Sequence, residues 1–455
     1  MRNFLKEISV EPLLFSGMFI INFYSTISQQ FIYQQVAESN GLFGDHDKTC
    51  NKFNESDPVV KLEEKVSSET SLWILYLNIA GTIPSLFTSA VMSSWGDVVG
   101  RTMPLILIYG GFIFLIVVYI IVVNLKLPIA WLLAARLVCG LTGDFPAMVA
   151  VCFAYLSDLS KTEQRTLRIA VGEAMLGLAG LLAGITEGLW IGSQGFEQPL
   201  WLLLALSIVV FLYIIFFLRE SRSIERSTNI RHDFRELFTW RPFLNIWGML
   251  TLEKQRCYFL LSLLGCLFLH MVLYIGLDDV SIVYELSEPF CWSPNLIGYG
   301  QMIHSSTSIF GLVAFKLLYA RLSDWWIFFM GMTSSICNLV TFAVSQYTWS
   351  LFLGLALGCF YTIPATVLRS MMSRMVTHDE QGAVFATIAA AQNISLLIAS
   401  FIFNGIYSAT VASFRGAIFV IGAFIGGALL LIFRLVYVKT LPRLSLAYQT
   451  VTEEI

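Results

Sequence analysis

Apolar runs of about 20 residues, each long enough to cross a bilayer as a helix, recur along the whole chain. They lie near 12–34, 72–94, 103–124, 128–154, 168–192 and 198–218, and after a polar break near 258–284, 295–318, 323–344, 347–371, 381–404 and 412–436. The pattern is six runs, a linker, and six more. It predicts an all-α polytopic membrane protein of twelve transmembrane helices. Residues 1–218 form an N-terminal six-helix bundle, 219–257 a linker, and 258–455 a C-terminal six-helix bundle with a short tail. Several runs carry polar residues, and the first and seventh are the least sharply marked.

Composition agrees. The 455 residues are 56% hydrophobic and 13% charged, against about 25% charged in soluble domains. A net charge of −3 gives no basic surface for nucleic acid. The opening MRNFLKEISVEP is charged and ends in Pro before the first run, so no cleavable signal is expected. Lys and Arg set the orientation. Arg219, Arg222, Arg226, Arg231, Arg235, Arg241, Lys254 and Arg256 crowd the linker, with Lys161, Arg165, Arg168, Arg374, Lys439 and Arg443 on the same side by the twelve-span count. That side and both termini are read as cytosolic. The loop 37–70 then faces outside or into a lumen. It carries the glycosylation acceptor Asn54-Glu-Ser and Cys50. Cys50 and Cys291 are the only cysteines in loops on that side. They are either a disulfide of an oxidising compartment or two free thiols. The other six sit in or at the edge of spans.

Between the second and third runs lies SSWGDVVGRTMPLIL, residues 93–107, with Asp97 and Arg101 four residues apart around Gly100. Twelve spans with this Asp-x-x-Gly-Arg turn resemble the major facilitator superfamily. Thr102 and Val98 stand where the family pattern has further basic residues, and ARLSD, ending in Asp324, echoes the turn in the second half. The resemblance implies a latch in which Asp97 and Arg101 hold a cytosolic gate in one state while two bundles rock around a central site.

Further segments narrow the likeness: GDF (143–145), RTLRIAVGEAMLGLAG (165–180), YELSEPFCW (284–292), LIGYG (296–300), VLRSMMSRMV (367–376) and EQGAVFA (380–386). They resemble the solute-carrier family of the proton-coupled folate transporter, which also holds a lysosomal symporter of steroid conjugates and bile acids. The resemblance implies a Cys50–Cys291 disulfide, proton coupling at Glu173 beside Asp144, and substrate contacts at Arg369 and Asp279. Tyr274 stands where the folate branch has a histidine. FNGIYSATVA (403–412) and VLRSMM look more like the lysosomal branch, and Tyr448-Gln-Thr-Val matches an endosomal address pattern. Plasma membrane and lysosome both stay open.

Ionisable groups inside spans are costly and mark function. Arg136 and Asp144 are eight residues apart in the fourth run, which on a continuous helix is about 12 Å, on broadly one face. Arg136 is read as a substrate cation. Glu173, in the fifth run, is expected at a depth similar to Asp144, so that the two carboxylates exchange protons. Arg369 offers a planar fork to a carboxylate or sulfate. Asp278, His270 and His304 are secondary candidates, more often packing groups. Glu187 is read as an interface charge, and His232 falls in the linker.

Aromatic residues, 14% of the chain, suit a cavity for a flat or polycyclic ligand, although lipid contact explains most of them. There is no nucleotide loop, metal spacing or catalytic triad, so no enzyme and no cofactor beyond protons is expected. The function expected is symport of small organic anions with protons toward the cytosol, folates and antifolates first. Steroid conjugates, bile acids or muramyl peptides are the alternative. A non-transporting sensor or chaperone on the same fold is a third reading, disfavoured by the joint presence of Asp97, Arg101, Glu173 and Arg369. Oligomeric state is not legible.

Overall fold

The structure, a computed structural model, describes residues 10–42, 58–159, 162–221, 254–319, 321–375 and 381–453. Cys50, Asn54 and His232 lie outside the described residues, as do the side chains of Asp97 and Glu173. The described chain is helical throughout, as lipid requires, since every backbone polar group there must be satisfied within the protein. The helices are α1 (Glu11–Ser39), α2 (Pro58–Val99), α3 (Thr102–Leu125), α4 (Ala130–Leu141), α5 (Asp144–Leu159), α6 (Thr162–Gln194) and α7 (Glu197–Phe216). They continue as α8 (Lys254–Leu286), α9 (Pro294–Tyr319), α10 (Asp324–Val344), α11 (Thr348–Leu357), α12 (Ile363–Arg374), α13 (Gln381–Thr410) and α14 (Ala417–Glu453). Nine helical stretches among the described residues are long and apolar enough to cross a membrane.

The expected fourth and tenth runs are each two helices, α4–α5 and α11–α12. Several others run past their apolar cores. The loop expected over 37–70 is shorter, because α2 begins at Pro58, well before the apolar run that starts near 72. Its first turns, KLEEKVSSET, are polar and invisible to a hydropathy reading. Glu63 Oε1 on this extension accepts the Glu288 N–H at 3.0 Å, which pins it to the turn after α8.

Contacts divide the chain into two units, Met1–Trp240 with Ser281–Ser306, and Arg241–Val280 with Thr307–Ile455. In the first, α1 packs along α6, α2 along α4, and α3 along α7. Helix α1 carries Ser16, Thr26, Ser28, Gln29 and Gln30 as buried residues. Ser16, Thr26 and Ser28 find partners on neighbouring helices: Ser16 meets Tyr109 at 3.3 Å, Thr26 donates to Glu187 at 3.0 Å, and Ser28 meets Tyr119 at 2.8 Å. In the second unit, Phe328 stacks on Phe433 at 3.8 Å over a floor of Leu260, Leu263, Met332 and Met371. Phe87, Trp131, Phe217, Phe310, Trp349 and Phe424 are exposed, a distribution suited to hydrocarbon.

Backbones approach closely between α6 and the start of α9. A Cβ on Gly188 would lie 2.7 Å from Gly298 Cα, and one on Gly184 would lie 2.6 Å from the Met302 nitrogen. Such contacts are how small residues let membrane helices pack. Gly188→Ala and Gly298→Ala are expected to cost about 1–3 kcal/mol each through overpacking. Gly427→Ala, where nothing lies within 4 Å, should be neutral or slightly stabilising. Thermal unfolding of the three purified variants checks this. Equal midpoints would remove the close-packing argument.

Candidate functional site

The break between α4 and α5 shapes the most distinctive polar site. Gly143 has φ +107° and Asp144 φ +54°, left-handed geometry that ends α4 and turns the chain before α5 starts. Helix α2 adds hydrogen bonds to two carbonyls at the break: Thr88 Oγ1 donates to the Gly140 oxygen at 2.7 Å and Ser85 Oγ to the Gly143 oxygen at 3.0 Å. Asp144 Oδ1 accepts the Phe145 N–H at 2.8 Å, and the Cys139 thiol lies 3.6 Å away. Its other oxygen, Oδ2, pairs with Arg136 Nη2 at 3.1 Å, with only 12% and 8% of the two side chains exposed. The expected spacing along a continuous helix is therefore corrected. The break folds Asp144 back, and the two charges form a buried ion pair.

The pair is closely housed. A Cβ on Gly81 of α2 would sit 2.6 Å from Arg136 Nη2, so a larger residue there would have to displace the guanidinium. On another side the guanidinium lies 5.8 Å from the Tyr24 ring centroid, within cation–π range. Tyr24 stands edge-on to Tyr119 at 5.0 Å, their hydroxyls are 3.0 Å apart, and Ser28 holds Tyr119 in turn. None of Gly81, Tyr24 or Tyr119 is singled out by the sequence. The one available signal is a glycine three residues before Pro84 inside an apolar helix.

Arg101 is the second charged centre and is almost fully buried. Its Nε meets Asp158 Oδ2 at 3.0 Å at the end of α5. Glu220, just past α7, accepts the Arg101 N–H at 2.7 Å, the Thr102 N–H at 3.2 Å and the Thr102 hydroxyl at 2.6 Å. A carboxylate on the first amides of α3 is where the helix dipole favours it. Gly100, at φ +107°, leaves space that a Cβ would take from this carboxylate. The partners of Arg101 described here, Asp158 and Glu220, were not anticipated, and all these groups lie within the first unit. The second unit repeats the arrangement with the charges exchanged: Asp324, opening α10, pairs with Arg374, closing α12, at 2.8 Å.

In the second unit, His270, Tyr274 and Asp278 stand one turn apart along α8. His270 is buried, Tyr274 half-buried and Asp278 exposed. Tyr274 stacks on Tyr361, which lies in the break between α11 and α12. Arg369 of α12 is half-buried and within electrostatic reach of His270 and Tyr274. Asp279 is reached by the Asn404 amide of α13 at 3.4 Å, so its neighbours differ from those of Asp278. His304 is half-buried on α9. Glu187, read as an interface charge, is instead 1% exposed and accepts a hydrogen bond from Thr26 at 3.0 Å. Cys291 is disulfide-bonded.

Residues 13–278 match the family model of the Major Facilitator Superfamily. The chain is 35% identical over 418 residues to the proton-coupled folate transporter of Rattus norvegicus, covering 91% of this chain and 88% of that one. It is 31% identical over 431 residues to the lysosomal proton-coupled steroid conjugate and bile acid symporter of Homo sapiens, covering 92% of each. Among solved structures it resembles the human organic anion transporter MFSD10, with a TM-score of 0.63 at 16% identity over 93% of this chain and 98% of that one. A D-xylose-proton symporter also matches, with a TM-score of 0.63 at 14% identity over 92% of this chain and 96% of that one. With an all-helical fold, paired charges at the helix turns, and sequence relatives along nearly its whole length, the chain belongs to the Major Facilitator Superfamily.

Proposed function

We propose that this protein is a proton-coupled symporter of small organic anions, with folates as the leading substrates. The observation that carries the proposal is the buried Arg136–Asp144 pair at a helix break, in a chain whose relatives are named as proton-coupled carriers. An incoming carboxylate competes with Asp144 for Arg136. If it wins, Asp144 is left as an uncompensated buried charge, which costs several kcal/mol. A proton neutralises it. Anion and proton then enter together, and loss of the proton on the neutral side restores the pair and expels the anion. Glu173 is the second proton carrier on the resemblance of its helix, and Arg369 and Asp279 are substrate contacts on the same ground. A second reading, transport of steroid conjugates or bile acids, rests on the human lysosomal relative.

Transport runs from an acidic outside or lumen to the cytosol, with both termini cytosolic, at the plasma membrane or the endosomal–lysosomal membrane. Asn54 would carry glycan on the far side. For Cys291 we infer Cys50 as partner. Cys139, Cys152, Cys266, Cys337 and Cys359 are free thiols.

Uptake of labelled folic acid and estrone sulfate at acid and neutral pH tests the reading. Acid-stimulated uptake of one of them is expected, and Glu173→Gln should lose acid-driven accumulation while keeping exchange. Equal uptake at both pH values, or full accumulation by Glu173→Gln, would overturn the coupling scheme.

A further inference from the structure

We propose that Tyr274, Tyr361 and Asp278 form a subsite for a planar, nitrogen-bearing aromatic ring. It deepens the symporter reading and rests on it for the identity of the probe. The two phenol rings are nearly parallel, 16° apart in plane with centroids 5.1 Å apart, and the Tyr361 hydroxyl donates to that of Tyr274 at 3.4 Å. Tyr361 is placed by the break between α11 and α12. The adjoining Thr362 packs against Gly311, where a side chain would collide with its hydroxyl, and Thr307 hydrogen-bonds to Tyr361. The pair is therefore positioned from three elements.

A packing role alone would leave the rings enclosed. The Phe328–Phe433 stack of the same unit is fully buried, whereas Tyr274 and Tyr361 both keep accessible surface. The third group decides the chemistry. Asp278 is exposed one turn beyond Tyr274 and eight residues inside the end of α8. A carboxylate at that depth is tolerated against water, not lipid. It lies within electrostatic reach of both phenols. Two flat faces with an acceptor-only carboxylate beside them suit a flat heterocycle with N–H donors at its edge. An alicyclic ligand offers no flat aromatic face, and its hydroxyl donors do not lie in the plane of one. Arg369, within reach of Tyr274, is placed to take an anionic group of the same ligand.

Full-length purified protein gives the test, with folic acid as the planar probe and taurocholate as the alicyclic one. Folic acid should raise the thermal midpoint of the wild type. Tyr361→Leu, which keeps bulk but loses the flat face, should weaken folic acid affinity about tenfold, as should Asp278→Asn, and leave taurocholate within about twofold. Tyr361→Phe, which keeps the face, should bind folic acid as the wild type does. Failure of folic acid to stabilise the wild type, or equal losses for both ligands in Tyr361→Leu, overturns the subsite. Stabilisation that depends on Tyr361 in a protein without acid-driven uptake would uphold the subsite and sink the symporter reading instead.

Discussion

Arg136→Met is expected to leave Asp144 buried and unpaired, and to destabilise the protein by about 3–5 kcal/mol. Asp144→Asn should do the same from the other side, leaving the guanidinium against Tyr24 and Gly81 without its counter-charge. The double variant Arg136→Met/Asp144→Asn removes both charges at once. Its stability should return to within about 1–2 kcal/mol of the wild type, since a neutral replacement of similar volume is often tolerated where a half-pair is not. Transport should not return, because the anion has lost its cation and the proton its carboxylate. Thermal unfolding and acid-driven uptake, measured on all three, separate the structural from the functional role. Recovery of uptake in the double variant would show that the pair serves only to hold the break together.

Arg101→Gln is expected to lower maximal uptake about tenfold or more while leaving apparent substrate affinity within about twofold. The reasoning starts from what Arg101 holds. It joins the start of α3 to Asp158 at the end of α5, while Glu220 caps the same turn. Charge-assisted hydrogen bonds of this kind are worth about 1.5–3 kcal/mol each, and about 1.4 kcal/mol is a factor of ten in any equilibrium they bias. Arg136 lies on α4 and Arg101 before α3, so loss of the clamp acts through the balance of states, not through ligand contact. Asp324→Asn and Arg374→Gln, which break the reversed pair of the second unit, should act in the same direction. The concentration dependence of uptake for surface-expressed variants checks this. A shift in affinity alone, with maximal uptake unchanged, would assign Arg101 to substrate binding.

The apolar, all-helical character of the chain, the charged turn at Gly100, and the family were all legible in the linear sequence. Each rests on a local property: hydropathy over a window, or residue types at fixed spacing. Arg136, Asp144 and Arg369 were also found that way, because a charge inside an apolar run stands out without any knowledge of its neighbours, and Arg101 was found through the charged turn between two runs. Their partners were not. Asp158 and Glu220 look like ordinary loop-edge acids until folding brings them to Arg101 from residues 57 and 119 positions away. Gly81 and Tyr24 are unremarkable in sequence and become part of a charge site only once α1 and α2 lie against α4. Hydropathy also smooths over the breaks in the fourth and tenth runs. A window average records how apolar a stretch is, not whether φ at Gly143 and Asp144 lets the helix continue. Sequence by itself determined that this chain lives in a membrane and where charge would be spent. Tertiary structure decided which charges meet, because a buried ion pair forms where backbone breaks and neighbouring helices bring its members within hydrogen-bond distance, and no spacing along the chain encodes that approach.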